Sequence, residues 1–454
     1  MNNIFKKFTS KALLLVITLT IILTLLSSCN LFAYVADEKG EMVENVENGS
    51  ENGAYIYVSQ YLRDWGFPLF NQTKFNFCEF KFQQYYNFGD GLPDTYAHAK
   101  ETARLFIEYY YDKINLDDEV AVTDALLYCY VEVIGDPYSA YRPPVESEGY
   151  KEDINGEFGG IGVMVEYNLK EETIMISTVY PDSPAEKVGI RVGDYIHAID
   201  GQTVKEIGYD KAVNKVRGKI GTTVEITLLR DGEYLTVKPT REKVVETSVT
   251  YSIDNLNKTG YVKVSAFKGN TLDQFKDAID QITSSGAQGI VFDMRGNHGG
   301  LVQSVVDILS YLLPDNKVIM TYEYKGNKQT VLYSNDAGSA DHVVNLPFVV
   351  LCDEETASAA EIFTAVIRDY RNSGDLTATI VGTTTYKKGI MQNSYTYAFD
   401  GSTVTMTVAY YNPPCGVNYH GIGVDPDVFV ENESSVDLQL EKGYEELKKL
   451  INAK

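Results

Sequence analysis

At 454 residues the chain is too long for one ordinary domain, and 44% hydrophobic with 23% charged residues is the make-up of a folded protein rather than a disordered one. Forty Lys and Arg stand against 63 Asp and Glu, a net charge of −23. An excess of that size repels nucleic acid and anionic lipid headgroups, so nucleic acid is set aside as a partner and solubility is the plainest meaning of the charge.

In chain order, Lys6, Lys7 and Lys11 form a basic start, Ala12 to Leu26 an apolar run, and LSSC (26–29) a small-residue cleavage site ending in cysteine. LSSC resembles the lipobox of bacterial lipoproteins, which implies a signal peptide over 1–28, a lipidated Cys29 and a protein held on the outer face of the bacterial cytoplasmic membrane. An uncleaved transmembrane helix is the other reading, since the run is near the threshold of about 18 apolar residues. Either way the bulk lies outside the cytoplasm. The acidic, apolar-poor stretch from Asp37 to Asn52 reads as a tether, giving a segment 29–54 that spaces the protein from the membrane.

Residues 55–93 are rich in Tyr and Phe and hold the sole tryptophan, Trp65, but no chemical motif, so a packed subdomain is expected. DTYAHAKETARLFIEYYYDKI (94–114) places Ala99, Ala103, Phe106 and Tyr110 at helical spacing, and DDEVAVTDALLYCYVEVIG (117–135) repeats the pattern. A helical hairpin follows, ended by GDPYSAYRPP (135–144). These make an N-terminal helical region over 55–145 whose helices offer a surface for self-association.

Residues 157–241 read as a small module of mixed α and β structure: the turn EFGGIG, the runs VMVEY and TIMISTVY, the short helix SPAEKVG, the strand DYIHAIDG, the amphipathic helix GYDKAVNKVRG, and a hairpin closed by Asp231-Gly232. From about 245 to 430 strands alternate with helices, which implies right-handed crossovers and a mostly parallel sheet. Ligands bind outside the carboxyl ends of such strands. Three loops leave those ends: DMRGNHGG (293–300), DEETAS (353–358) and Gly382 to Gln392.

Those loops carry the candidate chemistry. Ser358, with Glu361 three residues on and Ile362-Phe363 behind, fits a capping box, yet a hydroxyl at a strand-to-helix junction also fits a nucleophile beside helix N–H groups. Glycines at 296, 299 and 300 let backbone N–H groups approach a ligand. A serine needs a base. His298 is the sole histidine on the three loops, and Lys387 and Lys388 are the alternatives, because an apolar site lowers a lysine from its usual value near 10.4. Cys78, Cys129, Cys352 and Cys415 show no CxxC pair and no metal-ligand spacing with the five histidines, so no metal and no cofactor is expected.

The ordered set GDPYSAY, FGGIGVMVE, SPAEKVGIRVGDYIHAIDGQTV, DMRGNHGGL, TASAAEI, GTTTYKKGIMQ and GIGVDPDV resembles the C-terminal processing, or tail-specific, proteases over about Tyr96 to Glu431. The resemblance implies a multidomain α/β protein: a PDZ domain over 146–243, a Ser-Lys peptidase core over 244–435 and a C-terminal helix over 436–454. It places the nucleophile on Ser358, the general base on Lys388 and an assisting amide on Gln392. Oxyanion donors fall on the backbone of Gly299, Gly300 and Ala359, and a peptide-carboxylate loop on Gly160, Ile161 and Gly162. The implied function is that of an exported serine endopeptidase acting on proteins or peptides with free, apolar C-termini. Its rivals are a non-catalytic PDZ lipoprotein and a Ser-His hydrolase using His298. Two features depart from the family: Lys387 stands where it usually has glycine, and His298 where it usually has proline. Alternation along an extended chain puts 388, 390 and 392 on one face, so Lys388 and Gln392 are expected to share a site.

Overall fold

The computed structural model describes residues 57–67, 69–168, 173–334, 345–433 and 436–453. The signal segment 1–28, Cys29 and the whole tether 29–54 therefore lie outside the described residues. Two compact units emerge: one runs to Glu79 and takes in Asp94–Tyr130, while the other joins Phe80–Pro93 to Val131–Lys454. The segments 80–93 and 131–145 thus group with the second unit, and the expected boundary at 145 moves.

The first unit is helical. It contains Val58–Asp64, most of Gln72–Tyr85, Thr95–Tyr109 and most of Glu119–Ile134. Asp94 starts the third of these by accepting from the N–H groups of Tyr96 and Ala97 at 3.1 and 3.2 Å, the N-cap its sequence position predicts. Ala99, Ala103 and Phe106 are buried as their spacing requires, together with Val58, Leu62, Phe75, Val122 and Leu126, whereas Tyr110 lies one residue past the helix end.

In the second unit the PDZ module contains a five-strand path in the order Val163–Asn168, Thr173–Val179, Tyr195–Ile199, Ile226–Arg230, Glu233–Val237, all antiparallel, with Gln202–Thr203 beside the third strand. Its last hairpin turns at Asp231 and Gly232, whose φ angles of 52° and 86° are those of the two-residue turn that Asp-Gly favours. Glu157–Gly160 pairs separately with Glu242–Val245. Ile161, Ile174, Ile176, Ile196, Ile226 and Leu228 fill the core.

The peptidase core holds a six-stranded sheet in the order Val249–Asp254, Thr259–Val264, Gly289–Asp293, Phe348–Cys352, Ala378–Gly382, Val428–Phe429. The first pair is antiparallel and the rest are parallel. Helices Thr271–Ser284, Val302–Leu312 and Ala359–Asn372 connect its strands, and Leu438–Asn452 closes the chain. The buried rings of Phe275, Phe292, Phe348 and Phe363 form a chain of contacts between sheet and helices, each ring contributing about 1.5–3 kcal/mol through burial. On the C-terminal helix Gly443 permits close approach, because a Cβ there would come within 2.8 Å of Leu351.

One feature departs from simple strand-helix alternation. Val318–Tyr324 leaves the parallel sheet and enters a second, antiparallel one with Lys328–Tyr333, Thr403–Asn412, Ile390–Thr396 and Ala140–Arg142. This brings the segment after Lys387 and Lys388, and the end of the GDPYSAYR stretch, onto the same long strand, Thr403–Asn412. Among the described residues no helix is long and apolar enough to cross a membrane.

Candidate active site

The three loops foreseen at the carboxyl ends of the parallel strands meet. Ala357 N–H donates to the Asn297 carbonyl at 2.9 Å, Gly296 N–H to the Asp353 carboxylate at 3.1 Å and Thr356 Oγ1 to the Met294 carbonyl at 3.0 Å, which joins the first loop to the second. Tyr386 N–H donates to the Thr356 carbonyl at 3.0 Å and ties in the third.

Ser358 immediately precedes the helix Ala359–Asn372, with φ 53° and ψ −114°. Few non-glycine residues occupy that region, which costs about 1–3 kcal/mol and persists only where the surroundings enforce it. A strained serine between strand and helix is also how other hydrolases expose a nucleophile. Here the enforcement comes from Glu361, a fully buried carboxylate. Its Oε2 accepts from the N–H groups of Ser358 and Lys388 at 2.9 and 2.8 Å, and its Oε1 from Lys387 N–H and Thr385 Oγ1 at 2.7 and 2.6 Å. The capping partner read from the sequence therefore clamps the serine loop to the lysine loop. Burial pushes the pKa of Glu361 up, while those four donors pull it back.

The two lysines separate cleanly. Lys388 is half-buried, with its Nζ 4.5 Å from the centre of the Tyr138 ring. Burial pushes its pKa down, and the charges of Asp136 and Glu361 act against that shift. Lys387 is exposed, with a φ of 86°. That left-handed backbone accounts for the glycine usual at this position, and the side chain points to no part in the site.

Tyr411 reaches the lysine from another direction: its hydroxyl donates to the Lys388 carbonyl at 2.6 Å. Among the described residues no hydrogen bond joins Ser358 Oγ to Lys388 Nζ, and catalytic hydrogen bonds are often long in a free enzyme. His298 is exposed and, among the described residues, forms no hydrogen bond with Ser358.

Gly299 has a φ of 99°, and a Cβ on it would lie 2.8 Å from both the Ala357 carbonyl oxygen and the Ser358 Cβ. Its N–H donates to Asn297 Oδ1 at 2.8 Å. Gly300 differs. Gly299 O and Leu301 N both face Phe267, so by alternation the Gly300 N–H points the other way. Ala359, the first residue of its helix, carries an N–H without an intrahelical acceptor.

Gln392 sits opposite Thr407, to whose Oγ1 its Nε2 donates at 3.1 Å. The register shift beside it leaves Val408 of the opposing strand as the extra residue, so Ile390–Thr396 carries no insertion of its own. His420 stands nearby: Gly389 N–H donates to its Nδ1 at 3.3 Å, and burial lowers its pKa, with the charge of Lys388 adding to the shift. Tyr411 and His420 carry no local sequence signal for these contacts, and Asp136 and Tyr138 have none beyond the GDPYSAY motif. Among the described residues no group of three His, Cys, Asp or Glu side chains is arranged to hold a metal ion.

In the PDZ module Gly162 has a φ of 74°, and a Cβ there would lie 2.4 Å from Ser183 Cβ, so only glycine fits. The carbonyls of Ile161 and Gly162 accept from the N–H groups of Ala185 and Tyr180 at 2.9 and 3.0 Å. Val163–Asn168 is an edge strand of the five-strand path. Ile161 and Ala212 are core residues at 2% and 0% exposure, and Tyr209 and Val213 are partly buried against that core.

These features define a serine peptidase core preceded by a PDZ domain. Residues 258–430 match peptidase family S41 and residues 175–230 a PDZ domain. It is similar to the probable CtpA-like serine protease of Staphylococcus haemolyticus (strain JCSC1435), 33% identical over 327 residues, which are 71% of this chain and 63% of that relative. It is likewise 33% identical to the carboxy-terminal processing protease CtpA of Bacillus subtilis (strain 168) over 322 residues, 71% of this chain and 66% of that one. The chain thus spans a little under two thirds of the length of these relatives. Among solved structures, the photosystem II D1 C-terminal processing protease matches with 27% identity and a TM-score of 0.43, over 77% of this chain and 90% of that one.

Proposed function

We propose that this chain is an exported, membrane-anchored serine endopeptidase that selects substrates through their C-terminal ends. Ser358 is the nucleophile and neutral Lys388 the general base. Lys388 takes the hydroxyl proton as Ser358 Oγ bonds to the scissile carbonyl carbon, and the resulting oxyanion is met by the N–H groups of Gly300 and Ala359. The protonated lysine then gives its proton to the leaving amine, and water repeats the sequence on the acyl-enzyme. The observation that carries this reading is the Glu361 clamp, one carboxylate oxygen that accepts from the N–H groups of both Ser358 and Lys388. A desolvated lysine fixed to the same oxygen as a strained serine is what an amine base requires.

Selection through the C-terminus is supported by the loop Gly160-Ile161-Gly162, whose anchoring hydrogen bonds use carbonyls, and by the adjoining edge strand, to which an extended peptide can add. The anchor rests on the LSSC sequence. Incubating the soluble portion with unstructured polypeptides that differ at the C-terminus, beside its Ser358→Ala variant, tests the reading. Cleavage confined to the unsubstituted protein is expected, and equal cleavage by Ser358→Ala would overturn it.

A further inference from the structure

The GDPYSAY stretch leaves a helix at Ile134 and, read as sequence, does no more than end it. Its Asp136 is 5% exposed, too buried for a solvated turn residue. Asp136 Oδ1 accepts from Tyr138 N–H at 3.0 Å, and Oδ2 accepts from Ser139 Oγ at 2.6 Å and from Thr407 Oγ1 at 2.8 Å. Thr407, fully buried, in turn accepts from Gln392 Nε2 at 3.1 Å.

The direction of this chain follows from its chemistry. An ionised carboxylate only accepts, so the single hydroxyl proton of Thr407 goes to Asp136. The threonine oxygen can then only accept from Gln392, which must present its NH2 group there. The amide is thereby fixed, and Oε1 is left as the one acceptor this side chain can offer a lysine ammonium. The same loop supplies the Tyr138 ring under Lys388 Nζ.

We propose that Asp136 is a positioning residue for the Ser-Lys centre: through Thr407 it fixes the Gln392 amide with its oxygen free, and through its own charge it holds the lysine at the Tyr138 ring. The inference rests on the reading of Lys388 as the base. The groups facing Lys388 agree with it. Asp136 and Glu361 favour its charged form, and the charge of Lys388 disfavours that of His420, while the Tyr411 hydroxyl is spent on the lysine's own carbonyl. Around Asp136 the other titratable groups are Tyr86 and Tyr138, both shifted upwards first by burial and further by this carboxylate.

The test compares kcat, KM and the pH profile of cleavage of an unstructured polypeptide ending in a free alanine. Thr407→Val removes the relay without altering charge, so kcat falls roughly ten- to a hundredfold, KM holds and the rising limb stays in place. Thr407→Ser keeps the hydroxyl and restores the rate. Asp136→Asn loses kcat as well, and its rising limb moves to lower pH by roughly half a unit or more, because an opposite charge near the amine has gone. A merely structural role would not move that limb. A Thr407→Val protein with unchanged kcat overturns the proposal whatever Asp136→Asn does, and so does a folded Asp136→Asn protein whose limb stays put. Cleavage that survives Lys388→Ala would instead sink the Ser-Lys reading itself, and the relay with it.

Discussion

Replacing Glu361 by glutamine tests whether one carboxylate assembles the site. Four donors converge on it, and an amide offers only one oxygen to them. Thr385 decides the orientation: its hydroxyl can turn to accept from an NH2 group, although its oxygen already takes Val424 N–H at 2.8 Å. The glutamine oxygen therefore stays with Ser358 and Lys388, and the NH2 group confronts Lys387 N–H. One buried donor is orphaned, at about 1–3 kcal/mol, and the remaining bonds lose their charge assistance, at about 1 kcal/mol each. Against this runs the desolvation of the carboxylate, the cause that pushes its pKa up and one an amide avoids in large part. The net loss is about 2–4 kcal/mol, or roughly 5–15 °C in a melting scan. Since the two catalytic N–H groups keep their acceptor, Glu361→Gln should retain measurable cleavage. Glu361→Ala, which frees both loops, should lose it. Circular-dichroism melting beside a cleavage assay reads both quantities. A Glu361→Ala protein that melts and cleaves like the unsubstituted one would refute the reasoning, as would Glu361→Gln proving the more damaging of the two.

Lys388→Ala should abolish cleavage in a protein that still folds, whereas Lys387→Gly should keep the rate and raise stability by up to about 1 kcal/mol, because the φ of 86° suits glycine; a cleavage and urea-unfolding series checks both. The rate should rise with pH through an apparent pKa below that of free lysine, since burial lowers Lys388 and only its deprotonated amine accepts the serine proton; a limb at the free-lysine value would contradict this. Amidating a substrate's C-terminus should raise KM or lower kcat, as the loop's N–H groups gain charge-assisted bonds only from a carboxylate. Steady-state kinetics on the acid and amide forms distinguish the outcomes, and equal cleavage would remove the PDZ loop from selection. Ile161→Asp is the poorer test, for at 2% exposure it buries a charge in the PDZ core.

Much of the fold was legible because its signals are local. The helical spacing of Ala99, Ala103 and Phe106 and the turn at Asp231-Gly232 each depend on a few nearby residues, and each stands as read. The second sheet was not legible. Val318–Tyr324 and Thr403–Asn412 look like any other apolar strands, and only their partners distinguish them. The site divides in the same way. Ser358, Lys388 and the glycine pair lie on loops that leave parallel strands, where topology concentrates chemistry, and Glu361 was visible as the third residue of a cap. Its second task, receiving the N–H of Lys388 from 27 residues away, has no periodicity to betray it. The same holds for Asp136, whose bond to Thr407 spans 271 residues. The register shift beside Met391 and Gln392 has no local signal either, because the extra residue, Val408, lies on the opposing strand. Lys387 joins the two cases. As sequence it weakened the choice between adjacent lysines, yet its exposed side chain and left-handed backbone make it the member of the pair that glycine can replace, whereas the amine of Lys388 is the desolvated one.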